Sequence, residues 1–411
     1  MSTVAAPPPS TPSAPATKTV AAYARAWWVD VRSGDLGSLP IVVGLIIIAI
    51  VFQVQNDRFL TAGNFVNLIV QTAPYAVIAM GVTFALLLGE IDLSIGFVSG
   101  VGGVLVAMLL TPDGNELPTF VAIAVALGAG LAIGTLHGLI ITKIGVPSFV
   151  VTLAGLLAWN GVVLLLIGSR GTVILQNNFV IGLANDFMEP GAAWVLAVVC
   201  VVLYAAVQLG RVRSRRKGGL ETDPTLIVAL RIVGLAAALA VLVGIANEDR
   251  GVPYAAVVVG GLLVFWTYVL NRTTFGRHIY AVGGNAEAAR RAGIDVDRVK
   301  IACFAIVSFM AVLGGIILAS RLRSVDTNTG GGTALLYPIA AAVIGGTSLF
   351  GGRGTMKAAV LGAIVMLSID NGLGLLGLSS GTKFVLTGGV LLLAVTVDSV
   401  SRRGRAQSGR A

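Results

Sequence analysis

Phe120-Val121-Ala122-Ile123-Ala124-Val125-Ala126-Leu127-Gly128-Ala129-Gly130-Leu131-Ala132-Ile133-Gly134-Thr135-Leu136-His137-Gly138-Leu139-Ile140-Ile141 contains no Asp, Glu, Lys or Arg. A helix that crosses a bilayer takes about 20 consecutive apolar residues, so this stretch is read as a membrane crossing. Similar segments flank it at 95–110 and 149–167, and others lie at 39–52, 65–88, 192–209, 226–245, 253–270, 301–319, 337–350, 358–369 and 384–397. The 411 residues are 56% hydrophobic and only 11% charged, where a soluble domain has roughly 25% charged residues. The expected fold class is an all-α polytopic membrane protein with about 10–12 transmembrane helices. Segments 95–110 and 337–350 are short for a full span, so broken or re-entrant helices are expected there. Nothing of this length is left over for a large water-facing enzymatic or nucleotide-binding domain.

The net charge of +9 is sorted rather than spread. With the N-terminus on the cytoplasmic side and the segments alternating, 21 of the 28 Lys and Arg fall inside, 6 outside, and Arg231 within an apolar segment. That is the positive-inside bias, and it places both termini in the cytoplasm of a multi-pass plasma (inner) membrane protein. Basic knots at Arg211, Arg213, Arg215, Arg216 and Lys217, at Arg290, Arg291, Arg298 and Lys300, and at Arg402, Arg403 and Arg405 suit anionic lipid headgroups rather than nucleic acid. Residues 1–37 read as a disordered to amphipathic cytoplasmic tail carrying Trp27 and Trp28, 38–400 as the transmembrane domain with a cytoplasmic loop at 271–300, and 401–411 as a basic tail. Cys200 and Cys303 lie in apolar stretches and read as packing residues. His137 and His278 have no metal-motif context, so no metal site and no cofactor is expected.

Gly89-Glu90-Ile91-Asp92-Leu93-Ser94-Ile95-Gly96 and Gly345-Gly346-Thr347-Ser348-Leu349-Phe350-Gly351-Gly352 share the frame G-x-x-[DS]-L-x-x-G. Paired Gly-interrupted segments in the two halves of a transporter point to its pathway, and the two frames suggest an internal repeat. Glu90, Asp92 and Asp370 lie in or beside apolar segments, where a carboxylate is costly and a functional candidate by default. Asp92 and Ser94 also stand where a helix begins and can accept from its unpaired N–H groups. Asp370-Asn371-Gly372 reads as the end of a helix at the outer face, and Arg231 as a side chain that snorkels to the interface.

In the loop from Thr273 to Val296, Asn285 can cap a short helix, Glu287 sits in its first turn, and Gly293 suits a left-handed stop. Asp295 then caps the following helix. Glu287-Ala288-Ala289 with Gly293 resembles the E-A-A-x-x-x-G coupling loop of ATP-binding-cassette importers. The flanking Gly276-Arg277-His278-Ile279-Tyr280-Ala281-Val282-Gly283-Gly284-Asn285 is similar to the monosaccharide branch of that family, and most like its xylose members. Gly145-Val146-Pro147-Ser148-Phe149 with Thr152-Leu153, the two Gly-rich frames, and Gly377-Leu378-Ser379 onward extend the resemblance over residues 40–403. Two added apolar segments before the loop also look like the xylose branch.

The resemblance implies a translocation subunit that is not itself an enzyme, acting in an ATP-driven monosaccharide importer. It implies ATPase coupling through Gly276, Arg277, Gly284, Asn285, Glu287, Ala288, Ala289 and Gly293. It also implies cytoplasmic ATPase subunits, an extracytoplasmic sugar-binding protein and a second permease subunit as partners. The sequence has no G-x-x-x-x-G-K-[ST] loop to cradle ATP phosphates. A neutral sugar needs several polar partners, and the polar residues at the breaks, Asp92, Ser94, Asn160, Thr347 and Ser348, are the pathway candidates. An ion-coupled secondary transporter using Glu90, Asp92 or Asp370 is the alternative, and a multi-pass membrane enzyme a distant third.

Overall fold

The computed structural model describes residues 19–32, 39–112, 116–389, 392 and 396. In chain order the elements are α1 (Val20–Arg32), α2 (Leu39–Gln55), α3 (Ala62–Leu87), α4 (Ile95–Leu109) and α5 (Thr119–Leu139), which a π-helical turn (Ile140–Ile144) continues. Then come α6 (Ser148–Ile167), β1 (Thr172–Ile174), α7 (Asn178–Asn185), α8 (Pro190–Lys217), α9 (Thr225–Asn247) and α10 (Tyr254–Arg272). The remainder is α11 (Thr274–Gly284), α12 (Ala286–Arg291), α13 (Val296–Leu322), β2 (Ser324–Asp326), α14 (Thr333–Ile344) and α15 (Met356–Leu375), followed by helical residues 380–389. The expected tails at 1–18 and 401–411, with Arg402, Arg403 and Arg405, and residues 390, 391, 393–395 and 397 of the 384–397 segment lie outside the described residues.

Among the described residues, eight helices are long and apolar enough to cross a membrane, and α2, α4 and α14 are shorter apolar helices. The chain is thus an all-α polytopic membrane protein whose only sheet, among the described residues, is the antiparallel pair β1–β2, in register Val173↔Val325. The two segments expected to be broken are short: α4 has 15 residues and α14 has 12. The bounds of the second differ from the sequence expectation, because α14 starts at Thr333 and stops at Ile344, leaving the whole Gly345–Gly352 frame outside any helix.

The chain divides into two compact units. One comprises α1, α8 and α9. Here Arg231 does not snorkel freely: its guanidinium bonds Asp223 at 2.9 Å and the Tyr23 hydroxyl at 3.0 Å. Part of the expected N-terminal tail is therefore helix, with Trp28 60% exposed on it.

The other unit holds the remaining elements around α13, which packs on α3, α4 and α5 and buries Cys303, Phe304, Val307, Met310, Ile316 and Ile317. Lipid tails are as apolar as Leu, so helices associate here through close packing rather than exclusion of water. Glycines make that packing possible. A Cβ at Gly134 of α5 would run into the carbonyl of Phe304, and one at Gly315 of α13 into the carbonyl of Ser99 on α4. After β2 the chain turns on Asp326, whose Oδ1 accepts from Asn328 N at 2.9 Å, and lays Thr329 and Gly330 against Gly96 and Gly100 of α4. Non-helical backbone is tolerated at membrane depth only where protein buries it, and the glycines on both sides allow that burial.

Asp370 requires a correction. It lies inside α15, which continues to Leu375, and its Oδ1 accepts from the Tyr337 hydroxyl at 2.9 Å. The next residue, Asn371, exchanges two amide hydrogen bonds with Asn64 of α3, at 2.9 and 3.0 Å. These side-chain bonds hold the turn helical through the Asn-Gly pair, overriding the local stop signal.

Candidate functional site

The two Gly-rich frames and the Thr273–Val296 segment meet at one end of the larger unit. Gly352 N–H donates to the Leu87 carbonyl at 2.9 Å, which ties the second frame to the last turn of α3 just before the first frame. Gly89, at φ +75°, faces the backbone of Phe350: a Cβ there would stand 3.3 Å from its carbonyl carbon and oxygen. Gly283 of α11 seats in the same junction, where a Cβ would collide with the Leu87 carbonyl and lie 2.8 Å from Gly352 N. Only glycine lets three backbones approach this closely. Tyr280, one turn earlier on α11, donates its hydroxyl to the Gly354 carbonyl at 2.8 Å, and burial pushes its phenol above the ordinary tyrosine value.

Charges lock the same end. Glu90 pairs with Lys300, in the second turn of α13, and accepts from Ser148 Oγ at the start of α6. Lys143 of the π-helical turn pairs with Asp297 at 2.8 Å. The first frame, the Gly145–Phe149 motif and the segment leading out of the loop are therefore one connected structure.

The loop itself is mostly helical. Its central part matches the sequence expectation: Asn285 Oδ1 accepts from Ala288 N at 2.9 Å, Gly293 adopts φ +84°, and Asp295 Oδ1 accepts from Arg298 N at 3.0 Å. The part of the loop before Asn285, for which the sequence named no element, is helix α11, capped by Thr273 Oγ1 on Gly276 N at 3.1 Å. Arg277, Gly284, Asn285, Glu287, Ala288 and Gly293 are exposed, while Gly276 and Ala289 are buried and anchor the two helices. Glu287 is held by Arg290 at 3.4 Å and Arg291 at 3.2 Å.

The pathway candidates separate into groups. Asp92 Oδ1 accepts from Ser94 N at 2.8 Å, as expected of a residue ahead of a helix. Ser94 itself does not cap: its Oγ donates to Asp92 Oδ1 at 2.6 Å and accepts no N–H of α4. Both are buried, and so are Thr347 and Ser348 beside the glycine junction. Asn160 is half-buried on α6.

Sequence reasoning missed His137 and Trp159, which join the Asp92–Ser94 group. The Trp159 indole N–H donates to His137 Nε2 at 3.1 Å, and a Cβ at Gly155 would stand 2.9 Å from that nitrogen and 3.2 Å from Ser94 Cβ. The available signal was a lone imidazole in an otherwise uncharged crossing, a polar group that needs a partner wherever it is buried. Among the described residues no group of three His, Cys, Asp or Glu could hold a metal ion.

Residues 64–395 match the family described as branched-chain amino acid transport system / permease component. The chain is 36% identical over 376 residues to the xylose transport system permease protein of Escherichia coli (strain K12), covering 90% of this chain and 94% of the relative. It is 34% identical to the xylose transport system permease protein of Haemophilus influenzae, over 89% and 98% of the two chains. Identity to the ribose import permease protein of Escherichia coli (strain K12) is 31%, over 92% and 96%. No solved structure matches it. With the match running from α3 into the last helical segment, through both Gly-rich frames and the Glu287 loop, the chain belongs to this family of transport-system permeases.

Proposed function

We propose that the chain is the translocation subunit of an ATP-driven importer of monosaccharides, with xylose as the favoured substrate. The single observation that carries this reading is the seating of Gly283, on the helix that leads directly into the exposed Glu287 turn, between Leu87 just before the first Gly-rich frame and Gly352 of the second. A push on α12 from a cytoplasmic ATPase reaches the first frame through Leu87 and the second through Gly352, the two breaks at which a transporter pathway is expected to open. Alternating access then follows as a rigid-body response to ATPase closure. Arg277, Gly284, Asn285, Glu287, Ala288 and Gly293 form the exposed ATPase-coupling surface, with Gly276 and Ala289 buried beneath it as anchors. Asp92, Ser94, Asn160, Thr347 and Ser348 contribute to the path.

The names of the relatives support a pentose over other cargo. In this reading two copies of residues 38–400 line the pathway, an external binding protein delivers the sugar, and 1–37 and 401–411 are cytoplasmic tails at the inner membrane. The chain supplies no ATP site of its own. Glu90 is committed to Lys300 and Ser148, and Asp370 to Tyr337, which argues against ion coupling through those two of the three candidate carboxylates.

The test is uptake of radiolabelled D-xylose by proteoliposomes. Uptake that needs the ATPase, the binding protein and ATP supports the reading; uptake by the chain alone under a proton gradient refutes it.

A further inference from the structure

Asp92 and His137 are 4% and 3% exposed, and each buries a polar atom without a hydrogen-bond partner: Asp92 Oδ2 and His137 Nδ1. Such atoms cost free energy unless something satisfies them. The two groups share one neighbourhood. Asp92 Oδ1 holds Ser94 Oγ at 2.6 Å, and the missing Cβ of Gly155 marks a point 3.0 Å from His137 Cε1 and 3.2 Å from Ser94 Cβ. A Cβ at 155 would press on the imidazole and on Ser94, so only glycine lets α6 close on both side chains.

Their chemistry is complementary. Trp159 donates its indole N–H to His137 Nε2, so that nitrogen accepts and the neutral ring carries its proton on Nδ1. An N–H donor and a carboxylate acceptor are left over, and a hydroxyl group, which accepts and donates at once, satisfies both. The Trp159 ring, with its centroid 6.0 Å from that of His137, adds the apolar surface that the C–H face of a sugar prefers.

We infer that Asp92 and His137 form a hydroxyl-recognition subsite on the substrate path: a sugar hydroxyl donates to Asp92 Oδ2 and accepts from His137 Nδ1–H. Gly155 lets α6 pack against the imidazole and Ser94, and Trp159 positions the imidazole and fixes its tautomer. This inference rests on the monosaccharide reading above, and it makes His137 a substrate contact rather than a packing residue.

The test co-reconstitutes the permease with its ATPase and binding protein and follows uptake of radiolabelled D-xylose and its monodeoxy analogues, with binding-protein-stimulated ATP hydrolysis measured in parallel. His137→Leu and Gly155→Ala should each lower D-xylose uptake roughly tenfold while stimulated hydrolysis persists. His137→Gln, which keeps an N–H donor, should recover most of the uptake. One monodeoxy analogue should be transported about tenfold more slowly by the wild type, and that penalty should vanish in His137→Leu. Unchanged uptake in His137→Leu, a parallel fall of uptake and hydrolysis, or a deoxy penalty that survives the substitution would overturn the subsite. Wild-type vesicles that hydrolyse ATP but take up no monosaccharide would instead overturn the transport reading on which it rests.

Discussion

Glu90 and Lys300 form an ion pair between the turn that follows α3 and the second turn of α13, 210 residues apart in sequence. Their side chains are 16% and 23% exposed, so solvent screens the pair less than it would a surface bridge. Removing one partner leaves the other charge half-buried and uncompensated, which costs more than the pair itself contributes. Glu90→Gln and Lys300→Met should each lower the melting temperature of the detergent-purified protein. The double variant should recover about 1–2 kcal/mol relative to additivity. Strict additivity would mean that the two side chains do not interact.

Gly283 and Gly284 are adjacent, yet the structure separates them sharply. A Cβ at 283 meets backbone atoms of Leu87 and Gly352 that cannot rotate away, while nothing lies within 4 Å of one at 284. Gly283→Ala should therefore force the three backbones apart and destabilise by about 1–3 kcal/mol, with loss of coupled transport. Gly284→Ala should be neutral or mildly stabilising. Melting curves of the two purified variants check this; equal behaviour would contradict the close approach.

The Tyr280 hydroxyl to Gly354 bond supplies a pH prediction. Burial raises the phenol above its ordinary value of 10.0, so the folded state prefers the protonated donor. The stabilising contribution is fully present below the unfolded value and is lost as pH rises through the raised folded value. Tyr280→Phe should cost about 1 kcal/mol at neutral pH, with a gap to wild type that is constant up to about pH 10 and closes above it. A pH series of thermal unfolding measures the gap.

Much of this was legible locally. The α12 helix announces itself through Asn285, Glu287 and Gly293, because capping and left-handed stops depend on a few consecutive residues. The shortness of α4 follows from the length of its apolar run. What was not legible depends on distant partners. The helix through Asp370 and Asn371 is held by Tyr337 and Asn64, and no local pattern names either. The Glu90 partners sit in α6 and α13, and His137 gains its meaning only when α6 brings Trp159 and Gly155 against it. α11 was missed because Gly276, Gly283 and Gly284 give a weak helix signal, whereas its Thr273 cap and buried Ile279 and Val282 faces stabilise it in place.

The most direct measurement is ATP-driven D-xylose uptake by proteoliposomes containing the permease, its ATPase and its binding protein, comparing wild type with Glu287→Ala and Gly293→Val. Glu287 is 59% exposed on its side chain, and a Cβ at Gly293 meets nothing within 4 Å, so the strain of Val at its φ of +84° stays local to the stop after α12 and neither substitution disturbs the buried core of the bundle. Both variants should insert and purify as the wild type does and lose ATP-driven uptake. Normal uptake in both would contradict the assignment of this helix as the point where the ATPase acts.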